Sequence, residues 1–259
     1  IKLIIGGHEH ENSYTTVGHT IIAKADANVR TVYVHSLYYN TQTKDLNISS
    51  DLVKINESIK EDQATSNTVR KWNELAYSLL KKKFDPCEVI ATLPGPFDGT
   101  EHSIRYGPTN LTQLIAEAIF IAPATKPDCS IFNSGAVRID DYLKGNVTNY
   151  DIFRVLPFGG KIYDAKIKGS VLRTILNISD TSHGNGCFLQ HTGIIKLNSV
   201  WMINNKPIDD EVFYSVAVND FLISGGQERM TFLKDAIGGN VDSLASLPGV
   251  GVNDSNDWQ

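Results

Sequence analysis

The sequence predicts an α+β chain in two parts joined by an amphipathic helix. Three observations carry this: β-rich runs crowd the first 60 residues, apolar residues fall at helical spacing between Ser66 and Phe84, and strands then alternate with helices towards the end. The boundaries that follow are 1–60, a linking helix over 61–84, and 85–259. With 259 residues, of which 41% are hydrophobic and 20% charged, the chain has room for one large domain or two ordinary ones.

Ile1-Lys2-Leu3-Ile4-Ile5 ahead of Gly6-Gly7 reads as a buried strand running into a turn, so the numbered start is expected to lie inside a domain. Thr20–Ala25 and Thr31–Leu37, separated by the turn-prone Asp26-Ala27-Asn28, predict a hairpin. Leu52–Ile55 is a third short β run, and the polar stretch Glu57–Gln63 marks the edge of a domain. Val69, Trp72, Leu75, Ala76, Leu79 and Leu80 then share one helical face, with Lys81-Lys82-Lys83 set to complement the negative end of the helix dipole. Asp85-Pro86 stops that helix. Beyond it, helices are expected over Asn110–Ala122 and Gly169–Leu176. Strands are expected over Ile194–Leu197, Val200–Ile203 and Phe213–Val218, with a turn at Asn204–Pro207 and a loose tail from Gly249 to Gln259.

Composition narrows the function classes. A formal charge of −5 gives no footprint for wrapping a nucleic acid polymer, although a local basic pocket for one phosphate is compatible with it. No stretch approaches the roughly 20 continuous apolar residues of a transmembrane helix. Cys87, Cys129 and Cys187 lack zinc-type spacing and leave room for one disulfide and a free thiol. Sequons stand at Asn47, Asn56, Asn110, Asn146, Asn177 and Asn253, usable where the chain is exported and the site exposed.

His8-Glu9-His10 follows the first strand and its Gly-Gly turn, which would hold two imidazoles at the carboxyl end of a sheet with little bulk beside them. Imidazole nitrogens suit zinc, manganese or iron, and in a two-metal hydrolase neighbouring histidines can serve different ions. Gly6-Gly7-His8-Glu9-His10 resembles the last metal-ligand motif of the calcineurin-like metallophosphatases, in which the two histidines bind two divalent metals. That family's earlier motifs, an Asp-x-His, a bridging Asp and a Gly-Asn-His-Asp/Glu, do not occur here: Gly145-Asn146 and Gly184-Asn185 are not followed by His. The resemblance therefore implies catalytic residues upstream of Ile1, on a missing N-terminal metallophosphatase segment.

Residues 85–259 carry an ordered set of short motifs. They are Arg105-x4-Asn110-Leu111, Asn133-Ser134-Gly135-Ala136-Val137-Arg138, Leu156-Pro157-Phe158-Gly159-Gly160, Lys168-Gly169, and Asn219-Asp220-Phe221-Leu222-x2-Gly225-Gly226. The set resembles the C-terminal domain of the 5'-nucleotidases. The fold implied is the end of a four-layer αββα metallophosphatase domain, a linking helix and a mixed α/β substrate-binding domain. By physical chemistry, Arg105 and Arg138 suit forked contacts to a phosphate and Asn133 can orient one of its oxygens. Phe158 and Phe221 resemble the two rings that clamp a nucleobase. Alone, such an Arg is usually a surface ion-pair member and such a Phe is usually core, but the glycines beside both rings point to loops approached closely by other groups.

One position departs from the pattern. Many 5'-nucleotidases follow Gly-Gly with an Asp that holds the ribose hydroxyls, whereas Gln227 stands here, able to donate and accept but uncharged. The activity implied is two-metal hydrolysis of nucleotide phosphate esters, in an enzyme that is secreted, periplasmic or at the cell surface. The alternatives are a nucleotide- or sugar-binding module without catalysis, or a relative of the 2',3'-cyclic phosphodiesterases and UDP-sugar hydrolases.

Overall fold

The computed structural model describes residues 1–8, 10–236 and 241–246; Glu9, the Asn253 sequon and the tail from Gly249 lie outside them. The chain divides into two units, Ile1–Leu79 and a second beginning at Leu80.

In the first unit, β1 (Leu3–Ile5) runs parallel to β3 (Thr20–Lys24), and β2 (Ser13–Val17) runs antiparallel to β3 on its other side. β4 (Thr31–Tyr39) and β5 (Leu46–Lys54) form a separate antiparallel pair. The hairpin expected between Thr20–Ala25 and Thr31–Leu37 is therefore absent. The tight turn lies one strand earlier, at Gly18 with φ 61°, which the polar run Ser13-Tyr14-Thr15-Thr16 disguises. At Asp26 the chain leaves the sheet instead of turning back, because the Asp26 side chain accepts from Asn12 N at 3.1 Å and from the Thr31 hydroxyl. The first strand forms but is not buried, with Ile4 and Ile5 both exposed; among the described residues its strand neighbour is β3. α1 spans Gln63–Leu80, starting where Asp62 accepts from Thr65 N at 2.8 Å. It ends before the three lysines, as Lys83 N and Phe84 N both donate back to Leu80 O. Its apolar face, Val69, Trp72, Leu75 and Leu79, is exposed.

The second unit opens with β6 (Val89–Thr92), β7 (Phe97–Asp98), α2 (Glu101–Tyr106) and α3 (Asn110–Ile121), then β8 (Cys129–Asn133), β9 (Tyr142–Leu143), β10 (Asn146–Thr148) and α4 (Asn149–Val155). There follow β11 (Ile162–Lys168), α5 (Gly169–Asp180), β12 (Leu189–Thr192), β13 (Ile194–Leu197), β14 (Val200–Ile203) and β15 (Lys206–Pro207). The described elements end with β16 (Phe213–Asn219), α6 (Asp220–Ile223), α7 (Leu233–Ala236) and β17 (Val241–Ser246). Five strands make the central sheet in the order β12-β8-β16-β11-β17; β8 and β16 are parallel and the other neighbours antiparallel.

The sheet is covered on both faces, which explains its continuous apolar runs. Val216 and Val218 pack into one core with Ile131, Ile167 and the α5 residues Leu172, Ile175 and Leu176. Ala217, one position over and hence on the opposite face, joins Phe132 and the α3 residues Leu111, Ile115 and Ala116 in a second core. α3 starts on a capping box between Thr109 and Thr112, and α4 on one between Thr148 and Asp151. The turn expected around Asn204–Pro207 occupies Asn204 and Asn205, both at positive φ, and Lys206-Pro207 already begins the next strand. The three cysteines are free: Cys129 is buried in β8, Cys187 is buried beside Gln227 and Cys87 is exposed, so the disulfide their number left room for does not form. No helix among the described residues is long and apolar enough to cross a membrane.

This topology sets up the site. Parallel β8 and β16 end side by side at Asn133 and Asn219, β11 begins opposite Asn219, and β12 begins opposite Asn133. One edge of the sheet thus gathers the segments 133–138, 156–160, 184–187 and 219–227.

Candidate functional site

A cleft of 890 Å³ opens at that edge, within the second unit. Arg105, Asn133, Arg138, Phe158, Phe221 and Gln227, the six residues singled out as substrate-binding, all line it. The size and placement suit a small-molecule site at the carboxyl ends of parallel strands.

Asn133 and Asn219 form its floor. Asn133 is 4% exposed, and its Oδ1 accepts from Asn219 Nδ2 at 3.1 Å. Gly135 passes against Gly186, its N–H donating to Gly186 O at 3.2 Å; an added Cβ would come 3.2 Å from the Gly186 Cα. Arg105 enters from the last turn of α2, paired with Glu101 one turn back. Beyond that pair, the buried Nε of Arg105 has no hydrogen-bond partner among the described residues.

Phe158 and Phe221 are not core residues; they are 68% and 48% exposed. Phe158 follows α4 in a turn, and the Arg138 guanidinium lies over its ring, 5.0 Å from the centroid. The two residues assigned separately to phosphate and base are thus in contact. Phe221 stands in the short helix α6 rather than in a loop. Gly226 packs under it: its N–H donates to Phe221 O at 3.0 Å, and a Cβ there would come 2.8 Å from two ring carbons.

Asp220 is a residue that sequence reasoning left out of the site, although it stands within the quoted Asn-Asp-Phe-Leu motif. Its carboxylate accepts from Phe221 N at 2.7 Å and from Lys161 N at 3.2 Å, and its own N–H donates to Lys161 O at 2.9 Å. Gly160, at φ 109°, would place a Cβ 2.6 Å from Asp220 Oδ1. The turn carrying Phe158 is therefore stapled to the helix carrying Phe221, and only glycine fits the closest point.

Gln227 is 8% exposed, and its Nε2 donates to Cys187 Sγ at 2.9 Å. Burial pushes the Cys187 thiol above its ordinary range, against a smaller opposing effect of the Gln227 bond. Asn110, quoted with the Arg105 motif, is a structural tie: its Oδ1 accepts from Asp98 N at 2.8 Å and its Nδ2 donates to Pro96 O at 2.9 Å. In the first unit, His8 occupies the turn after β1 with a left-handed backbone (φ 78°), and His10 O accepts from Ala27 N at 3.0 Å.

Comparison with known proteins bears on these features. A 5'-nucleotidase of Vibrio parahaemolyticus is 30% identical over 192 residues, 71% of this chain and 32% of that protein. Snake venom 5'-nucleotidase from Naja atra is 27% identical over 219 residues, 73% of this chain and 40% of its own length. The chain thus spans about a third of the length of the curated relatives it matches. A solved 5'-nucleotidase precursor from Thermus thermophilus superposes with a TM-score of 0.72 at 19% identity, covering 96% of this chain and 52% of that one, which shows a shared mixed α/β fold. The sequence model of the "5'-nucleotidase, C-terminal domain" family matches residues 89–235, the span that builds the whole cleft. The chain belongs to the 5'-nucleotidase C-terminal domain family.

Proposed function

We propose that the cleft binds a nucleotide or a related small phosphate ester, its phosphate on Arg105 and Arg138 and its base between Phe158 and Phe221. The observation that carries this reading is the convergence of six residues from separate segments on one cleft, two of them exposed aromatic rings. Arg105 brings a guanidinium to the cleft, suited to charge-assisted contacts with phosphate oxygens. The Arg138 guanidinium sits over Phe158, and its N–H groups are the donors offered to phosphate on this reading. The base then takes the opposite face of Phe158. Gly226 sets the height of Phe221, and Asp220 holds the two ring-bearing segments in register.

On this reading residues 85–259 hold the substrate for a metal-dependent phosphoric ester hydrolase, exported to a periplasmic, cell-surface or extracellular site. Residues 1–60 are the end of its four-layer αββα metallophosphatase domain and 61–84 the linking helix. His8 and His10 fit as donors by the chemistry of their imidazoles, two positions apart after β1 and suited to zinc or manganese, each giving one ligand where three or more are needed. Two such ions would activate a water and neutralise the phosphoryl oxygens. With only these two ligands assigned, the chain by itself is expected to turn over no ester. A nucleotide- or sugar-binding module without catalysis would use the same cleft, and is favoured by the placement of the whole cleft lining within the second unit.

The test is calorimetric titration of AMP, a UDP-sugar and a 2',3'-cyclic nucleotide into the purified chain, with phosphate release followed in parallel. Saturable binding of at least one without turnover is expected. No binding of any would sink the nucleotide reading, and zinc- or manganese-dependent phosphate release from AMP would contradict the partial metal site.

A further inference from the structure

Gln227 lines the cleft yet is almost wholly buried, and its one side-chain hydrogen bond among the described residues runs from Nε2 to Cys187 Sγ at 2.9 Å. The same sulfur lies 3.1 Å from the carbonyl oxygen of Glu228. A carbonyl oxygen only accepts, so the thiol hydrogen goes to Glu228 and the sulfur has only lone pairs to offer the amide. The amide atom facing the sulfur is therefore the nitrogen, because turning the amide over would set an acceptor against an acceptor. That leaves Gln227 Oε1 as an acceptor that no described residue uses. Both partners are tethered: Cys187 N donates to Asn185 Oδ1 at 2.9 Å, and fully buried Met230 donates its N–H to Gln227 O at 3.0 Å. Gly186, next to the cysteine, lines the cleft as well.

We propose that Cys187 is a positioning residue for ligand specificity: its thiol orients the Gln227 carboxamide so that Oε1 meets a hydroxyl of the ligand as a fixed, uncharged acceptor. The geometry stands by itself, while the identification of that hydroxyl as one on a ribose rests on the nucleotide reading above. An acceptor fixed in this way favours ribose over its deoxy analogue by about one neutral hydrogen bond, and a freely rotating amide gives up that preference.

The experiment titrates AMP and 2',3'-dideoxy-AMP into the full chain and into Cys187→Ala and Cys187→Ser. The wild type is expected to prefer AMP by about three- to tenfold. Cys187→Ala should bring that ratio close to one by weakening AMP alone. Cys187→Ser, whose hydroxyl can both donate to Glu228 and accept from Gln227, should retain it. A Cys187→Ala protein that keeps the full ratio, or that loses affinity for both ligands alike, overturns the proposal. A ligand-free readout accompanies the titration: slowed exchange of a Gln227 side-chain amide proton in NMR, expected in the wild type and Cys187→Ser and lost in Cys187→Ala. Persistence of that protection in Cys187→Ala overturns the positioning role whether or not a nucleotide binds. If the wild type binds neither nucleotide, the nucleotide reading fails, while loss of the amide signal in Cys187→Ala still supports the positioning.

Discussion

Replacing Phe158 and Phe221 by alanine separates ligand binding from folding, because both rings are largely outside the core. Truncating a fully buried Phe costs about 3–5 kcal/mol. Phe221 at 48% exposure buries about half of its surface and Phe158 at 68% about a third, so the folding cost scales to about 2 and about 1 kcal/mol respectively. For a unit of this size 1 kcal/mol moves Tm by roughly 2–4 °C, so both variants should stay folded at assay temperature. A ring stacked on a base contributes about 1–3 kcal/mol, a loss of about fivefold to over a hundredfold in Kd for each variant. Calorimetric titration of AMP with melting curves alongside reads both quantities. Unchanged affinity in both variants would refute the stacking argument, and a large drop in Tm without an affinity change would return the rings to a packing role.

Three further outcomes are expected. Gly226→Ala removes no contact but pushes a Cβ against the Phe221 ring and its backbone oxygen, so AMP affinity should fall about as far as in Phe221→Ala; full affinity in this variant would show that ring height is immaterial. Arg105→Ala should weaken AMP by about 1.5–3 kcal/mol and leave adenosine binding unchanged, whereas equal losses for both would place Arg105 away from the phosphate. Burial lowers the pKa of His191, so the folded chain holds this group neutral where the unfolded chain takes up a proton. The stability it contributes is fully present above the unfolded-state pKa of about 6.5 and is lost as pH falls towards the lower folded value. His191→Gln should flatten the decline of Tm between pH 7 and pH 5, and an unaltered profile would count against the argument.

What the sequence made legible followed from local periodicity. Asn110–Ile121, Ile194–Leu197, Val200–Ile203 and Phe213–Asn219 could be anticipated because their apolar spacing is set by burial on one or both faces. The pairing of the first strands could not, since Ser13–Val17 is polar and exposed and only its turn at Gly18 betrays it. Strand order was equally hidden: β8 and β16 are neighbours although residues 134–212 lie between them. The six cleft residues could be named from short motifs, but their convergence depends on that non-local parallel pairing. Asp220 and Cys187 were not assigned to the site because their hydrogen bonds run to other residues of it, Lys161 and Phe221 for one and Gln227 for the other, and such ties leave no trace in spacing.

The central claim is that a base sits between Phe158 and Phe221 with its phosphate at Arg105, and a crystal structure of the chain with bound AMP tests it most directly. The account predicts adenine density stacked on both rings, with a phosphate oxygen within hydrogen-bond distance of the Arg105 guanidinium. Adenine density away from both rings, or a phosphate out of reach of Arg105, would contradict it.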